Sequence, residues 1–146
     1  IASSKVKLYE KAARLKGIDL INNTNTNSEV FADKDMVEIV LRNLITNAIK
    51  FSENGNCITI TSTPNNGFMN VCVSDNGKGI SKESIGKLFG KQVFSTRGTL
   101  DEKGTGLGLI LCRDFIQING GEIWVESQEN VGSKFFFTLP SKEIKN

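Results

Sequence analysis

The sequence contains no histidine, only two prolines and one tryptophan, and three cysteines among its 146 residues. Cys57, Cys72 and Cys112 are widely spaced and form no CxxC pair. Because structural zinc sites are built from clustered cysteine and histidine ligands, this composition argues against such a site. No apolar run approaches the length of a membrane-spanning helix, and no signal peptide is recognisable.

The charges are nearly balanced, with 18 lysines and arginines against 16 acidic residues. Since both signs are interspersed and no basic cluster occurs, the sequence does not indicate nucleic-acid binding. A hydrophobic content of 38% fits one globular domain with a buried core. The chain begins at Ile1, without methionine and inside a helical pattern, so we expect an excised domain of a larger parent, whose attachment to a membrane stays open. We expect the domain itself to be cytoplasmic.

Hydrophobic periodicity predicts a mixture of helices and strands. Residues 4–16 have a helical pattern that ends at Gly17, and a longer helix starts at Asp33 or Asp35 and runs to about Phe51. The order of elements predicts an α+β fold, a two-layer α/β sandwich with helices on one face of a mixed, mostly antiparallel sheet. The other predicted elements are strands at 18–21, 29–32, 58–61, 68–75, 122–127 and 134–139, a hairpin connection at 64–67, and helices at 82–88 and 104–118.

Asn43, Asn47 and Lys50 form a polar stripe on the long helix, because their spacing of i, i+4 and i+7 puts them on one face. They could simply line its solvent-exposed face. Alternatively, the amide oxygens could bind a hydrated Mg²⁺, which takes few protein oxygens besides phosphate oxygens, and the lysine could bind phosphate.

Asp75 ends a predicted strand and is followed by the glycine-rich segment Asn76-Gly77-Lys78-Gly79. Taken alone, Asn-Gly is typical of a tight hairpin turn. No partner strand follows at Ser81, however, and glycines allow the backbone to approach a flat ligand closely. An acid at this point can accept a hydrogen bond from an exocyclic amino group such as that of adenine.

A second glycine cluster, Gly104-Thr105-Gly106-Leu107-Gly108, comes at the start of a predicted helix. Free backbone N–H groups and the helix dipole bind anions at such a position. The cluster is weak evidence by itself, but three polar clusters in this order form a strong pattern. The segment from 81 to 103 between the last two has the length of a functional lid.

Together these motifs resemble the catalytic ATP-binding domain of sensor histidine kinases, which has the GHKL fold. Residues 43–50 are similar to the N box of that family, 75–79 to its first glycine box and 104–109 to its second. The resemblance extends from about Leu8 to Pro140. It also includes an F box at Leu88, Phe89 and Phe94 and closing strands at 120–127 and 132–135.

The resemblance implies a role for each motif. Asp75 would bind the adenine amino group, and Ser133 would support the base indirectly. Asn47 would coordinate Mg²⁺, with Asn43 and Lys50 assisting as catalytic residues at the metal and the phosphates. The other implied cofactor-binding residues are Gly77, Gly79, Ile80, Gly104, Thr105, Gly106, Leu107, Gly108 and Leu109, and either Lys91 or Arg97 would contact the γ-phosphate.

The implied activity is that of a protein-histidine kinase, in which bound Mg²⁺·ATP donates its γ-phosphate to a histidine. Because this chain has no histidine, the acceptor must lie elsewhere. The expected partners are the histidine-containing dimerisation domain of the same homodimeric parent and the receiver domain of a response regulator. Residues 1–16 would be the trailing end of the dimerisation helix, and residues 17–146 the ATP-binding catalytic domain.

Two other functions stay open at this point. The first is an ATPase switch of the same fold, as in DNA gyrase, MutL or the heat-shock chaperone. Those proteins need a glutamate four residues before the metal-binding asparagine, where this chain has Asn43, and an amide cannot act as a general base. The second is a non-enzymatic nucleotide-sensing module, although intact Asp75, Asn47 and glycine boxes argue against loss of the site.

Overall fold

The structure is a computed structural model that describes residues 2–24, 30, 32–82 and 108–141. No helix in these ranges is both long and apolar enough to cross a membrane. The helices and strands are α1 (Ala2–Leu15), β1 (Asp19–Asn23), α2 (Lys34–Lys50), β2 (Cys57–Asn65), β3 (Phe68–Asp75), α3 (Gly108–Ile118), β4 (Ile123–Gln128) and β5 (Gly132–Pro140).

The strands form one sheet in the order β1-β2-β3-β5-β4. β1 and β2 are parallel, and the other neighbours are antiparallel. The mixed, mostly antiparallel sheet of the predicted fold is therefore confirmed. The register places Asp75, at the end of β3, opposite Ser133 on β5, which in turn lies opposite Ser127 on β4.

One face of the sheet carries the core. The apolar stripe of α2 buries Val40, Leu44 and Ile45 completely, in a cluster shared with Ile116 of α3 and Phe137 of β5. β5 alternates buried and less buried side chains, as a strand with one face on a core does. The predicted two-layer arrangement is thus confirmed, and its packing fixes α2 against the strand ends that bear the polar residues.

The structure shows where helix α2 begins and which residues form the turn between β2 and β3, and both make the predictions more precise. Asp33, not Asp35, caps α2, because its Oδ1 accepts a hydrogen bond from the backbone N of Met36 at 3.0 Å. The hairpin turn consists of Asn66 and Gly67, both with positive φ, so Pro64 belongs to β2 rather than to the turn.

The prediction of a strand at 29–32, returning beside β1, was wrong for the residues of this range that the structure describes. Val30 forms an isolated bridge with Ser141, and Ala32 lies in a bend. β1 pairs instead with β2, where Leu20 lies opposite the fully buried Ile58. The helix predicted at 104–118 is described from Gly108 onward, whereas the short helix at 82–88 and the lid fall outside the described residues, apart from Ser81 and Lys82.

Candidate functional site

Asp75 is a buried carboxylate at the end of β3, with only 8% of the residue exposed. Its Oδ1 accepts a hydrogen bond from the backbone N–H of Gly77 at 2.9 Å, and the backbone N–H of Ser133 also donates to the carboxylate. Burial raises the pKa of Asp75 from its ordinary 3.8 to about 6, because desolvation outweighs these two hydrogen bonds. The site therefore holds a carboxylate in a fixed orientation whose charge is only partly compensated.

The turn after Asp75 requires glycine at two positions for steric reasons. A Cβ at Gly77 would overlap the carbonyl oxygen of Phe51, at the end of α2. Gly79 has a φ of +73°, and a Cβ there would overlap the carbonyl oxygen of Gln128 on β4. The turn is thus packed backbone-to-backbone between α2 and β4, and this protein packing alone requires glycine at both positions.

Ser127 links this turn to the sheet edge. Its Oγ accepts a hydrogen bond from the backbone N of Ile80 at 2.8 Å and lies 2.8 Å from Oγ of Ser133 and 3.1 Å from the carbonyl oxygen of Gly132. Sequence reasoning included Ser127 in a closing strand but assigned it no role. Its register opposite Ser133 was the signal that a strand alignment could have used.

Asn43, Asn47 and Lys50 are all half-buried on α2. A Cβ at Gly108, the first residue of α3, would lie 3.0 Å from Oδ1 of Asn43. Asn43 also hydrogen-bonds to Cys112 of α3, a thiol whose pKa burial raises to about 12. The end of the second glycine cluster therefore lies against the polar stripe, so the first motif contacts the third.

Phe51 joins the polar stripe to the Asp75 turn. Its carbonyl oxygen accepts a hydrogen bond from the backbone N of Lys78 at 3.2 Å. Its ring lies 5.0 Å from Nζ of Lys50 and 4.9 Å from Nζ of Lys78, within the range of cation–π attraction. Two ammonium groups thus flank one aromatic ring between the two motifs, a contact that sequence reasoning did not anticipate.

The described residues bring part of the predicted site together, in two groups. Asp75, Gly77, Gly79, Ile80 and Ser133 form one cluster, and Asn43 meets Gly108 in a second. Leu109 packs against the core, partly buried. Among residues with predicted roles, Leu88, Phe89, Lys91, Phe94, Arg97, Gly104, Thr105, Gly106 and Leu107 lie outside the described residues.

The donor set fits a nucleotide with its metal. A carboxylate that only accepts hydrogen bonds lies at one end, and two half-buried amides with a lysine lie at the other. Amide and phosphate oxygens suit Mg²⁺, which keeps several of its waters, so the Asn47 amide oxygen could complete its shell.

Comparisons with known proteins show the family of this chain. A family described as histidine kinase-, DNA gyrase B-, and HSP90-like ATPase matches residues 32–143. The adaptive-response sensory kinase SasA of Prochlorococcus marinus is 37% identical over 150 aligned residues, which include 100% of this chain but 39% of that protein. The chain thus spans about two fifths of the length of the curated relatives it matches.

Solved structures agree in fold. The catalytic domain of histidine kinase ThkA, in a nucleotide-free form, is 36% identical with a TM-score of 0.81, and the match covers 95% of this chain and 89% of that one. ThkA in complex with the response regulator protein TrrA is 32% identical with a TM-score of 0.76, covering 96% of this chain and 39% of that one.

Proposed function

We propose a function on the following premise: this chain belongs to the histidine kinase-, DNA gyrase B-, and HSP90-like ATPases and is a catalytic domain of the sensor histidine kinase type. It binds Mg²⁺·ATP and donates the γ-phosphate to a histidine on a separate dimerisation domain. The observation that carries this proposal is the buried Asp75 carboxylate, oriented by backbone donors at the glycine turn.

Asp75 is proposed to accept a hydrogen bond from the adenine amino group. Gly77, Gly79 and Ile80 keep the turn close to the base, and Ser133 orients the carboxylate through its backbone N–H. A base donor would supply the partner that the desolvated carboxylate needs, because hydrogen bonds to charged groups contribute about 1.5–3 kcal/mol.

The α2 stripe is proposed to serve the phosphates. Asn47 would ligate Mg²⁺, Lys50 would bind phosphate as a point charge, and Asn43 would assist both. When bound, Mg²⁺ supplies neutralisation of the β- and γ-phosphates. Backbone N–H groups of 104–109 would surround the phosphate chain, and either Lys91 or Arg97 would contact the γ-phosphate.

The remaining assignments concern the parent protein. Residues 1–16 are proposed to end the dimerisation helix, and residues 17–146 to form the catalytic domain of a cytoplasmic, homodimeric kinase region. The histidine-bearing dimerisation domain would be the phosphate acceptor. A response regulator is the proposed downstream partner, since the relative ThkA is known in complex with one.

Phosphotransfer in trans tests the proposal. Given Mg²⁺ and labelled ATP, the chain alone should bind nucleotide but neither label itself on histidine nor hydrolyse ATP appreciably. Adding the parent's dimerisation helices should give acid-labile, base-stable phosphate on the helical fragment only, because the catalytic task is mainly positioning and electrostatics. Rapid hydrolysis by the chain alone would favour an ATPase switch, and binding without transfer would favour a sensing module.

A further inference from the structure

Ser127 uses the whole hydrogen-bonding capacity of its hydroxyl. A serine hydroxyl donates one hydrogen bond and accepts two. Three polar atoms lie within reach of Ser127 Oγ: the backbone N of Ile80 and Oγ of Ser133, each at 2.8 Å, and the carbonyl oxygen of Gly132 at 3.1 Å. Ser127 thus connects the glycine turn to two neighbouring residues of β5.

The chemistry of these partners fixes the direction of each bond. Ile80 N–H can only donate, and the Gly132 carbonyl can only accept. All three contacts are satisfied together when Ser127 donates to Gly132 and Ser133 donates to Ser127. If Ser127 donated to Ser133 instead, its oxygen would face the Gly132 oxygen at 3.1 Å without a proton between them. The hydroxyl proton of Ser133 is therefore directed at Ser127.

This arrangement leaves Ser133 as an acceptor. Its oxygen keeps its lone pairs, while its backbone N–H donates to the Asp75 carboxylate. The strand ends thus carry two acceptor groups side by side, the Asp75 carboxylate and the Ser133 oxygen, because these residues are paired in register. Such a pair favours a ligand group that donates, such as an amino group, and repels a carbonyl oxygen.

We propose that Ser127 is a positioning residue that makes the base site selective for a 6-amino purine over a 6-oxo purine. It does so by holding the Ser133 hydroxyl as an acceptor and by anchoring the turn at Ile80. The inference rests on the proposed function, since it takes the Asp75 end of the site as the place where the base binds.

Nucleotide titrations with the complete chain test this role. ADP and IDP differ at the purine 6-position, an amino group against a carbonyl. Ser127→Ala removes the hydroxyl, while Ser127→Thr and Ser127→Val form a pair of nearly equal shape, of which only threonine keeps it. Ser74→Ala is the matched control, because Ser74 precedes Asp75 on β3 but points to the opposite face of the sheet.

We expect the ratio of IDP to ADP dissociation constants to fall about tenfold in Ser127→Ala and Ser127→Val, equivalent to one hydrogen bond. Ser127→Thr and Ser74→Ala should keep the wild-type ratio. A purely structural role for Ser127 would weaken both nucleotides equally, and an unchanged ratio in the alanine and valine variants would overturn the inference.

If Ser127→Ala does not fold, the comparison of Ser127→Thr with Ser127→Val tests the inference instead. Absence of ADP binding by the wild-type chain would overturn the proposed function and this inference together. Wild-type ADP binding with an unchanged ratio in the variants would overturn this inference alone.

Discussion

The two ends of the candidate site are built in different ways. At the turn end (residues 75–80), backbone groups of Gly77, Lys78 and Ile80 are all hydrogen-bonded to neighbouring segments or to Asp75 itself. At the helix end (Asn43, Asn47 and Lys50), half-buried side chains project from one face of α2. The turn end is therefore held by backbone hydrogen bonds, whereas the helix end is held by side-chain contacts, of Asn43 with Cys112 and of Lys50 with the Phe51 ring.

The two ends of the site also differ in the charges that they carry. The turn end carries a desolvated carboxylate, whose raised pKa means that folding destabilises its charged form. Toward the helix end, the ammonium groups of Lys50 and Lys78 flank the Phe51 ring. Substitutions at the turn end should thus affect both stability and base binding, and those at the helix end mainly phosphoryl transfer.

The largest effect is expected from adding a methyl group to the turn end. Gly79→Ala would force a Cβ onto the Gln128 carbonyl oxygen in a left-handed conformation, so we expect destabilisation of about 4 kcal/mol or more. Gly67→Ala is the matched control, because Gly67 also has a positive φ but faces open space, and it should cost only about 1–2 kcal/mol. Equal denaturation midpoints would contradict the tight packing of the turn.

At the helix end, Asn47→Ala should separate transfer from binding. In the parent kinase, loss of the proposed metal ligand should lower the phosphotransfer rate about 100-fold or more, because the metal's electrostatic contribution amounts to several kcal/mol. ADP affinity measured by calorimetry should change much less, and Asn47→Asp should retain part of the activity. Normal transfer by the alanine variant would assign the metal to other ligands.

Asp75→Asn tests the turn end without changing its shape. The amide replaces an acceptor with a donor facing the adenine amino group, so ADP affinity should fall about 10- to 100-fold. The variant should fold at least as well as the wild type at neutral pH, because it no longer buries a charge. Unchanged ADP affinity would remove Asp75 from the base site.

Asp75→Asn also tests how stability and ADP affinity depend on pH. Since the folded chain holds a proton on Asp75 up to about pH 6 and the unfolded chain releases it near 3.8, wild-type stability should decline as the pH rises across this interval. Asp75→Asn should lack that component when urea unfolding is compared at pH 4 and pH 7. ADP affinity should move in the opposite direction, rising through about pH 6 as the carboxylate ionises.

Local patterns explain why most of the fold could be predicted. The apolar stripe of α2, the Asn66-Gly67 turn and the alternation along β5 are local signals, and the structure has each of these elements. The pairing of β1 could not be predicted in this way, because a parallel partner more than thirty residues away is chosen by burial of Leu20 against Ile58.

The sequence predicted those parts of the candidate site in which a residue stands out by its own position in a motif. Asp75 was singled out by its place between a strand and a glycine-rich turn, and the α2 asparagines by their spacing on one helix face. Ser127 and Phe51 were missed, because their importance arises from contacts between segments distant in sequence. Neither a serine in a strand nor a phenylalanine after a helix is unusual by itself.

The smallest effect is expected at Lys16, the residue that directly follows α1 and contacts the helix end. Nζ of Lys16 donates hydrogen bonds to the carbonyl oxygens of Ile49 and Lys50, at 2.8 and 3.0 Å, in the last turn of α2. Lys16→Met keeps the aliphatic stem but removes the donor and the charge that favours a helix C-terminus, so unfolding should become easier by about 1 kcal/mol.

Arg14→Met is the control for Lys16→Met, since Arg14 forms an exposed ion pair with Glu10 and its loss should change stability by less than about 0.5 kcal/mol. Water can solvate the last carbonyls of α2 when Lys16 is removed, and for this reason the loss should stay well below that at Gly79. ADP affinity should hardly change in either variant. Equal unfolding free energies for the two variants would contradict a contribution of Lys16 to the last turn of α2, whereas a selective loss in Lys16→Met would support it.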